Sequence, residues 1–298
     1  MPDSAPTSGQ QGFSRLNPFS RREEHSRLSV NGYRVLTLIT WLLTVLTSVF
    51  YSLHKPGKRE GPHRHRLWKQ EDYHPSPFSM NSVITTLYWL VLFILQLIYV
   101  GHLYAKNTEY VNAACNVGAH FITHNLFFFG FIMLWVRGYF WIAEALLIIN
   151  FFNLSLGYFR HPNMPRFIHI PVISGPLAWN FVALYLCGAT AVNSNSLPAR
   201  ILANIAIWGV LVYGLFFLVV YKDYTMGFAL SVLTTAIGVT QFFMKIIALQ
   251  WIFAFVIMGV LFVLSVMSAI SGWSPFPRGA VVSESQEREP LLRAEDAA

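Results

Sequence analysis

An all-helical bundle that threads a membrane about eight times is the fold class this sequence predicts, and three observations predict it. Of 298 residues, 54% are hydrophobic and only 12% charged, about half the charged share of an ordinary soluble domain. The mean hydropathy is +0.46 although both ends and one loop are polar, so the apolar residues are gathered into blocks that no single globular core could hide. Those blocks are roughly 20 residues long, enough for a helix to cross about 30 Å of hydrocarbon. They lack the alternation of barrel strands, and lipid leaves no unpaired backbone group tolerable, so they form helices. A soluble enzyme or binding domain is excluded.

Taken in order, residues 1–32 form a polar arm rich in Ser, Pro, Gly and Arg. It is too poor in apolar residues to order itself or to act as a cleavable signal, which leaves the first span as its own insertion signal. The membrane domain, 33–271, has spans expected at 33–53, 82–104, 114–136, 139–158, 168–191, 201–221, 225–244 and 247–270. Only Lys245 separates the last two; without that boundary the bundle has seven spans. The long basic loop at 54–81 carries Lys55 to Glu60 and then Pro62-His63-Arg64-His65-Arg66, which suggests extended, solvated chain. Later connections are tight, and Trp135 to Tyr139 and Tyr221 to Tyr224 set aromatic rings around one or two charges, as in an interfacial belt. Residues 272–298 form a second disordered polar tail.

The net charge of +7 comes mainly from basic residues flanking the first apolar block, a placement suited to anionic lipid head groups and not to nucleic acid. Charge counting leaves the orientation open, because both sides carry comparable numbers of Lys and Arg. The two cysteines, Cys115 and Cys187, fall in or beside apolar segments, where they act as small hydrophobes. No metal or cofactor is expected.

Polar residues within the apolar blocks are the candidates for function. Glu144 is the one acid inside a predicted span, and an intramembrane carboxyl is costly enough to suggest a role in handling a proton or cation; alternatively it anchors the helix end by pairing with Arg137. His120 and His124 are four apart and share a helix face. If the third and fourth spans fold as a hairpin at Arg137 and Gly138, His124 and Asn125 lie level with Asn150 and Asn153, and His120 lies level with Ser155. A neutral ladder of this kind glues two helices together or, as a second reading, lines a path for a solute or proton. The fifth span carries His169, Pro171, Gly175, Pro176 and Asn180. Two prolines five apart cannot sit in an unbroken helix, so its start is kinked or half-unwound, either as a simple kink or as a broken helix that exposes backbone to a substrate.

In the tail, Glu287 precedes Leu291 and Leu292 in the pattern of an acidic dileucine signal, with Pro290 keeping the segment extended for a cytosolic sorting adaptor. This resembles the signals of proteins sent to lysosomes or vacuoles and makes the vacuolar membrane the expected address. A cytosolic tail and an even number of spans place the N-terminal arm in the cytosol and the 54–81 loop in the lumen.

The stretch His169 to Trp179, together with Glu144 to Asn153, resembles a family of fungal multi-pass membrane proteins of unknown function. The resemblance covers the central part of the chain and excludes both tails. It implies a fungal helical integral membrane protein and no catalytic residue. Two readings of function follow: a non-enzymatic endomembrane carrier or scaffold with a polar layer between spans three and four, or an intramembrane enzyme acting on a lipid through His120, His124 or His169. The second lacks the carboxylate pairs or interfacial histidine clusters that lipid chemistry commonly needs.

Overall fold

The computed structural model describes residues 18, 19, 22, 25–57, 64–161, 164–194 and 196–271. Each apolar block becomes a helix with a local reason to begin and end. The first, α1 (Arg27–Leu53), starts ahead of position 33 because Ser26 caps it, its hydroxyl accepting from Ser29 N–H. Within the following loop, α2 (Lys69–Tyr73) is a single short turn. Asn81 and Asn107 cap α3 (Ser82–His102) and α4 (Thr108–Trp135). A tight turn at Gly138, which has φ 79°, leads into α5 (Phe140–Arg160).

The fifth span is composite. It runs through α6 (Arg166–His169), a π-helical turn at Ile170–Ser174 and α7 (Gly175–Val192). The sixth is α8 (Leu197–Ala206) followed by α9 (Trp208–Val220), and the last two are α10 (Tyr224–Met244) and α11 (Gln250–Ser271). Among the described residues, eight stretches are therefore long and apolar enough to cross a membrane. The seven-span alternative fails at Lys245, where α10 ends in the left-handed region, and at Leu249, which is also left-handed. Two such residues turn the chain sharply before α11 begins. Among the described residues there is no strand.

Span one packs on span three through Thr37, Thr40 and Thr44, all buried; Thr44 donates to the Asn125 carbonyl at 3.0 Å. Span three packs on four, four on five, and seven on eight. The fifth span is the most enclosed. Its approach to span two is so close at Gly175 that a Cβ there would meet Leu92 Cδ1 at 2.7 Å. Large apolar side chains dominate the outward faces of the spans: Leu90 is 53%, Ile142 57% and Phe243 76% exposed. Water would not tolerate such a surface, whereas hydrocarbon does.

The loop at 54–81 departs from the extended, solvated chain expected of it. From Arg64 onward it is a folded cap. His65 N–H donates to Val136 O, Leu67 N–H to Tyr51 O and Asn81 N–H to Ala236 O. Gln241 and Gln250 reach across to the carbonyls of Ser76 and Pro77. The physical reason is the apolar pair Phe78 and Met80, both buried, which pulls an otherwise charged segment down onto the bundle.

Candidate functional site

Three polar or aromatic constellations are built into the bundle. The first is the layer between spans three, four and five. His120 Nδ1 meets Asn153 Oδ1 at 3.0 Å, and Asn153 Nδ2 donates to the His120 carbonyl. One helical turn on, Asn150 Nδ2 lies 3.0 Å from His124 Nδ1 and 2.8 Å from Asn180 Oδ1, while Asn180 Nδ2 donates to Leu147 O. His120, His124, Asn150 and Asn180 are each at most 1% exposed. Such interlocked amides and imidazoles hold helices together in a membrane.

The hairpin arithmetic brought His124 level with Asn150, as observed, and put His120 two positions out of register. His120 faces Asn153 and not Ser155. Asn125 turns away from the ladder, its amide donating back to Phe121 O within its own helix. The ladder also has a rung that the hairpin could not contain, Asn180, which the sequence assigned to the broken helix. Glu144 stands apart from all of them. It lies against the fifth span, where a Cβ on Gly188 would be 3.4 Å from its Oε1. Arg137, its proposed anchor, donates instead to Met133 O and the Tyr51 hydroxyl.

The second constellation surrounds Asp223. Counted in the sequence as part of an interfacial belt, it is a buried hub. Its Oδ2 accepts from the Tyr158 hydroxyl and Ser174 Oγ at 3.1 Å each and lies 3.3 Å from His169 Nε2. Its Oδ1 accepts from Thr225 N–H, Thr225 Oγ1 and Met226 N–H. Burial pushes this carboxyl up. The His169 pairing and the hydrogen bonds from Thr225 and Met226 outweigh burial and hold it down at about 2. The turn between spans six and seven is thereby clamped to the π-helical segment. The prolines of the fifth span do not unwind it: the chain stays helical, its turn wider by one residue, with Gly175 N–H donating to Ile170 O. Pro171, Gly175 and Pro176 are buried, and the carbonyls of Pro171 and Gly175 accept from Gln96 and Tyr88 on span two.

The third constellation escaped the sequence reading. An aromatic chamber of about 250 Å³ lies among spans one, two, three and five beneath the loop cap. Trp89, Phe128, Phe131, Trp135 and Trp179 form its walls. Trp89 stacks on Phe128 with ring centres 4.3 Å apart, and Trp179 meets both edge-on. The Trp179 indole N–H, buried among these rings, has no hydrogen-bond partner. Val49, Leu53, Thr86 and Leu90 form the rim, and all four are exposed on the outer surface of the bundle.

The polar end of the chamber is Glu71, from the loop. It is 7% exposed, and its Oε2 accepts from Met80 N–H at 2.6 Å. Burial raises this carboxyl to about 8, against the Met80 hydrogen bond that lowers it, with the neighbouring Asp72 charge adding to the rise. Burial thus favours the neutral form of Glu71. Only Trp68 and the Pro-Ser-Pro-Phe run at 75–78 hinted that this loop folds inward.

Among the described residues, no three His, Cys, Asp or Glu side chains converge as a metal site would require. Cys115 and Cys187 are free and buried. The tail residues Glu287, Leu291 and Leu292, and likewise His63 in the loop, lie outside the described residues.

Fold and sites together define a polytopic helical membrane protein with an apolar chamber opening beside its second span. A family model described as "Fungal protein of unknown function (DUF1774)" matches residues 200–292. The likeness to a fungal family of unknown function therefore stands, carried by the last three spans and part of the C-terminal tail in place of the central stretches that suggested it. Searches of curated proteins and of solved structures each find no match.

Proposed function

We propose that this protein is a non-enzymatic carrier or scaffold of a fungal endomembrane, the vacuolar membrane, and that it takes one hydrocarbon chain of a bilayer lipid into the aromatic chamber. The observation that carries this reading is the chamber's position: its walls are buried rings, while its rim of Val49, Leu53, Thr86 and Leu90 stands on the surface that faces lipid. A guest reaches it sideways from the bilayer. Apolar walls with one polar end are the usual form of a small-molecule site. Against an enzyme working through span histidines, His120, His124 and His169 are engaged by Asn153, Asn150 and Asp223, and none of them lines the chamber. The polar layer serves in this reading to fix spans three, four and five around the chamber. The vacuolar address rests on the Glu287, Leu291 and Leu292 pattern alone.

The test is to reconstitute the protein in vesicles of a phospholipid bearing a diazirine on its acyl chain and to map the photo-labelled residues. Label on Phe128 and Phe131, 5% and 3% exposed, supports the chamber. Label confined to outer residues such as Leu97 and Ile142 overturns it. Thr86→Trp, at the exposed rim, should remove the inner label while the outer label persists.

A further inference from the structure

The aromatic chamber does not end at Glu71. Ser52, Trp68, Glu71 and Met80 line it on one side and on the other line a second, polar chamber of about 410 Å³. The two together fall within the roughly 300–1,000 Å³ typical of ligand sites. Around the polar chamber stand Arg66, Lys69, Asp72, Asn81, Ser82 and Thr240. Arg66 and Lys69 are exposed and enter no ion pair within 4.0 Å among the described residues. The Glu71 carboxyl is turned onto the Met80 N–H, so Arg66 and Lys69 are left to present their cationic groups to the polar chamber.

We infer that the two chambers form one amphipathic site for an anionic phospholipid, with an acyl chain among Trp89, Phe128 and Trp179 and the phosphate head against Arg66 and Lys69. The geometry has the order a lipid requires: apolar walls toward the bilayer interior, basic and hydroxyl groups at the level of the loop cap, and a shared wall between them. Guanidinium and ammonium groups are the usual partners of phosphate, and each basic residue near the surface favours an anionic lipid by about 1 kcal/mol. This inference rests on the chain-binding reading above and adds the chemistry of the head group.

The experiment is a competition for the inner photo-label on Phe128 and Phe131 in the full-length protein, with unlabelled phosphatidic acid, phosphatidylcholine, diacylglycerol or inorganic phosphate as competitor. Phosphatidic acid should compete about tenfold better than phosphatidylcholine or diacylglycerol. Arg66→Ala combined with Lys69→Ala, both at exposed positions that leave the bundle intact, should abolish that preference and keep the label itself. Equal competition by all three lipids, with the inner label present, overturns the head-group inference and leaves chain binding standing. Competition by inorganic phosphate as strong as that of phosphatidic acid also overturns it, because the chain would then contribute nothing. Absence of any inner label sinks the chain reading, and the present inference with it.

Discussion

Gln96 of the second span donates its side-chain amide to the carbonyl of Pro171 in the fifth, at 3.2 Å. In the π register that carbonyl would receive the N–H of residue 176, but Pro176 has none. A side chain from another helix therefore fills the vacancy left by a ring. Gln96→Leu should cost about 1 kcal/mol in thermal unfolding in detergent, since an unserved buried carbonyl is expensive while loss of the unpaired Gln96 Oε1 offsets part of the cost. An unchanged melting temperature would show that the π-turn does not need its donor.

Asp223→Asn removes a charged acceptor that serves three helices at once. The expected loss is about 2 kcal/mol at neutral pH. Because the folded carboxyl is held near 2, below its ordinary 3.8, its contribution is fully present above pH 3.8 and is lost as pH falls through about 2. The variant should show no such acid transition at this site; one of undiminished size would assign the effect to other groups.

For Glu71 the sign is opposite. Its carboxyl is raised from 4.5 to about 8, so its burial costs nothing electrostatically below pH 4.5, and between about 4.5 and 8 the folded state loses roughly 1.4 kcal/mol per pH unit because the unfolded chain's carboxyl ionises freely while the buried one keeps its proton. Glu71→Gln keeps an acceptor for Met80 N–H and abolishes the charge. Melting curves at pH 6 and pH 9 should diverge for the native chain more than for the variant. Parallel behaviour would mean that this carboxyl ionises in contact with water.

Asn150 joins His124 to Asn180, whereas Asn125 bonds within its own helix. Asn150→Leu should cost about 1 kcal/mol and Asn125→Leu distinctly less, measured by the same unfolding assay. Reversal of that order would contradict the ladder.

Replacing Leu291 and Leu292 by Ala should move a tagged full-length copy off the vacuolar membrane, as seen by fluorescence microscopy. A native distribution for the variant removes the basis for that address.

Span positions were legible because about twenty successive apolar residues have few ways to avoid water except by crossing a bilayer. The starts of α1 and α4 were less so, since the caps Ser26 and Asn107 extend each helix past its apolar core. Pairings between helices were legible only in outline. Which face of α4 meets α5 depends on a rotation of a few tens of degrees set by packing, so His120 and His124 were placed near their partners but Asn125 was not. The chamber was hidden for a different reason. Its rings come from three separate spans and meet only once the helices are packed, and its roof lies in a segment whose charges suggested solvent. Asp223 was hidden likewise, because a carboxylate beside Lys222 looks surface-exposed until the helices that bury it are assembled.

The cap over residues 64–81 has a consequence for biogenesis. The amide of Asn81 is bound by Ala236, and the carbonyls of Ser76 and Pro77 by Gln241 and Gln250, so this segment is completed by helices made long after it. Spans one to six can enter the bilayer as they are made, but this roof must wait open until the seventh and eighth have emerged, and a nascent chain halted before position 236 would carry it unsealed.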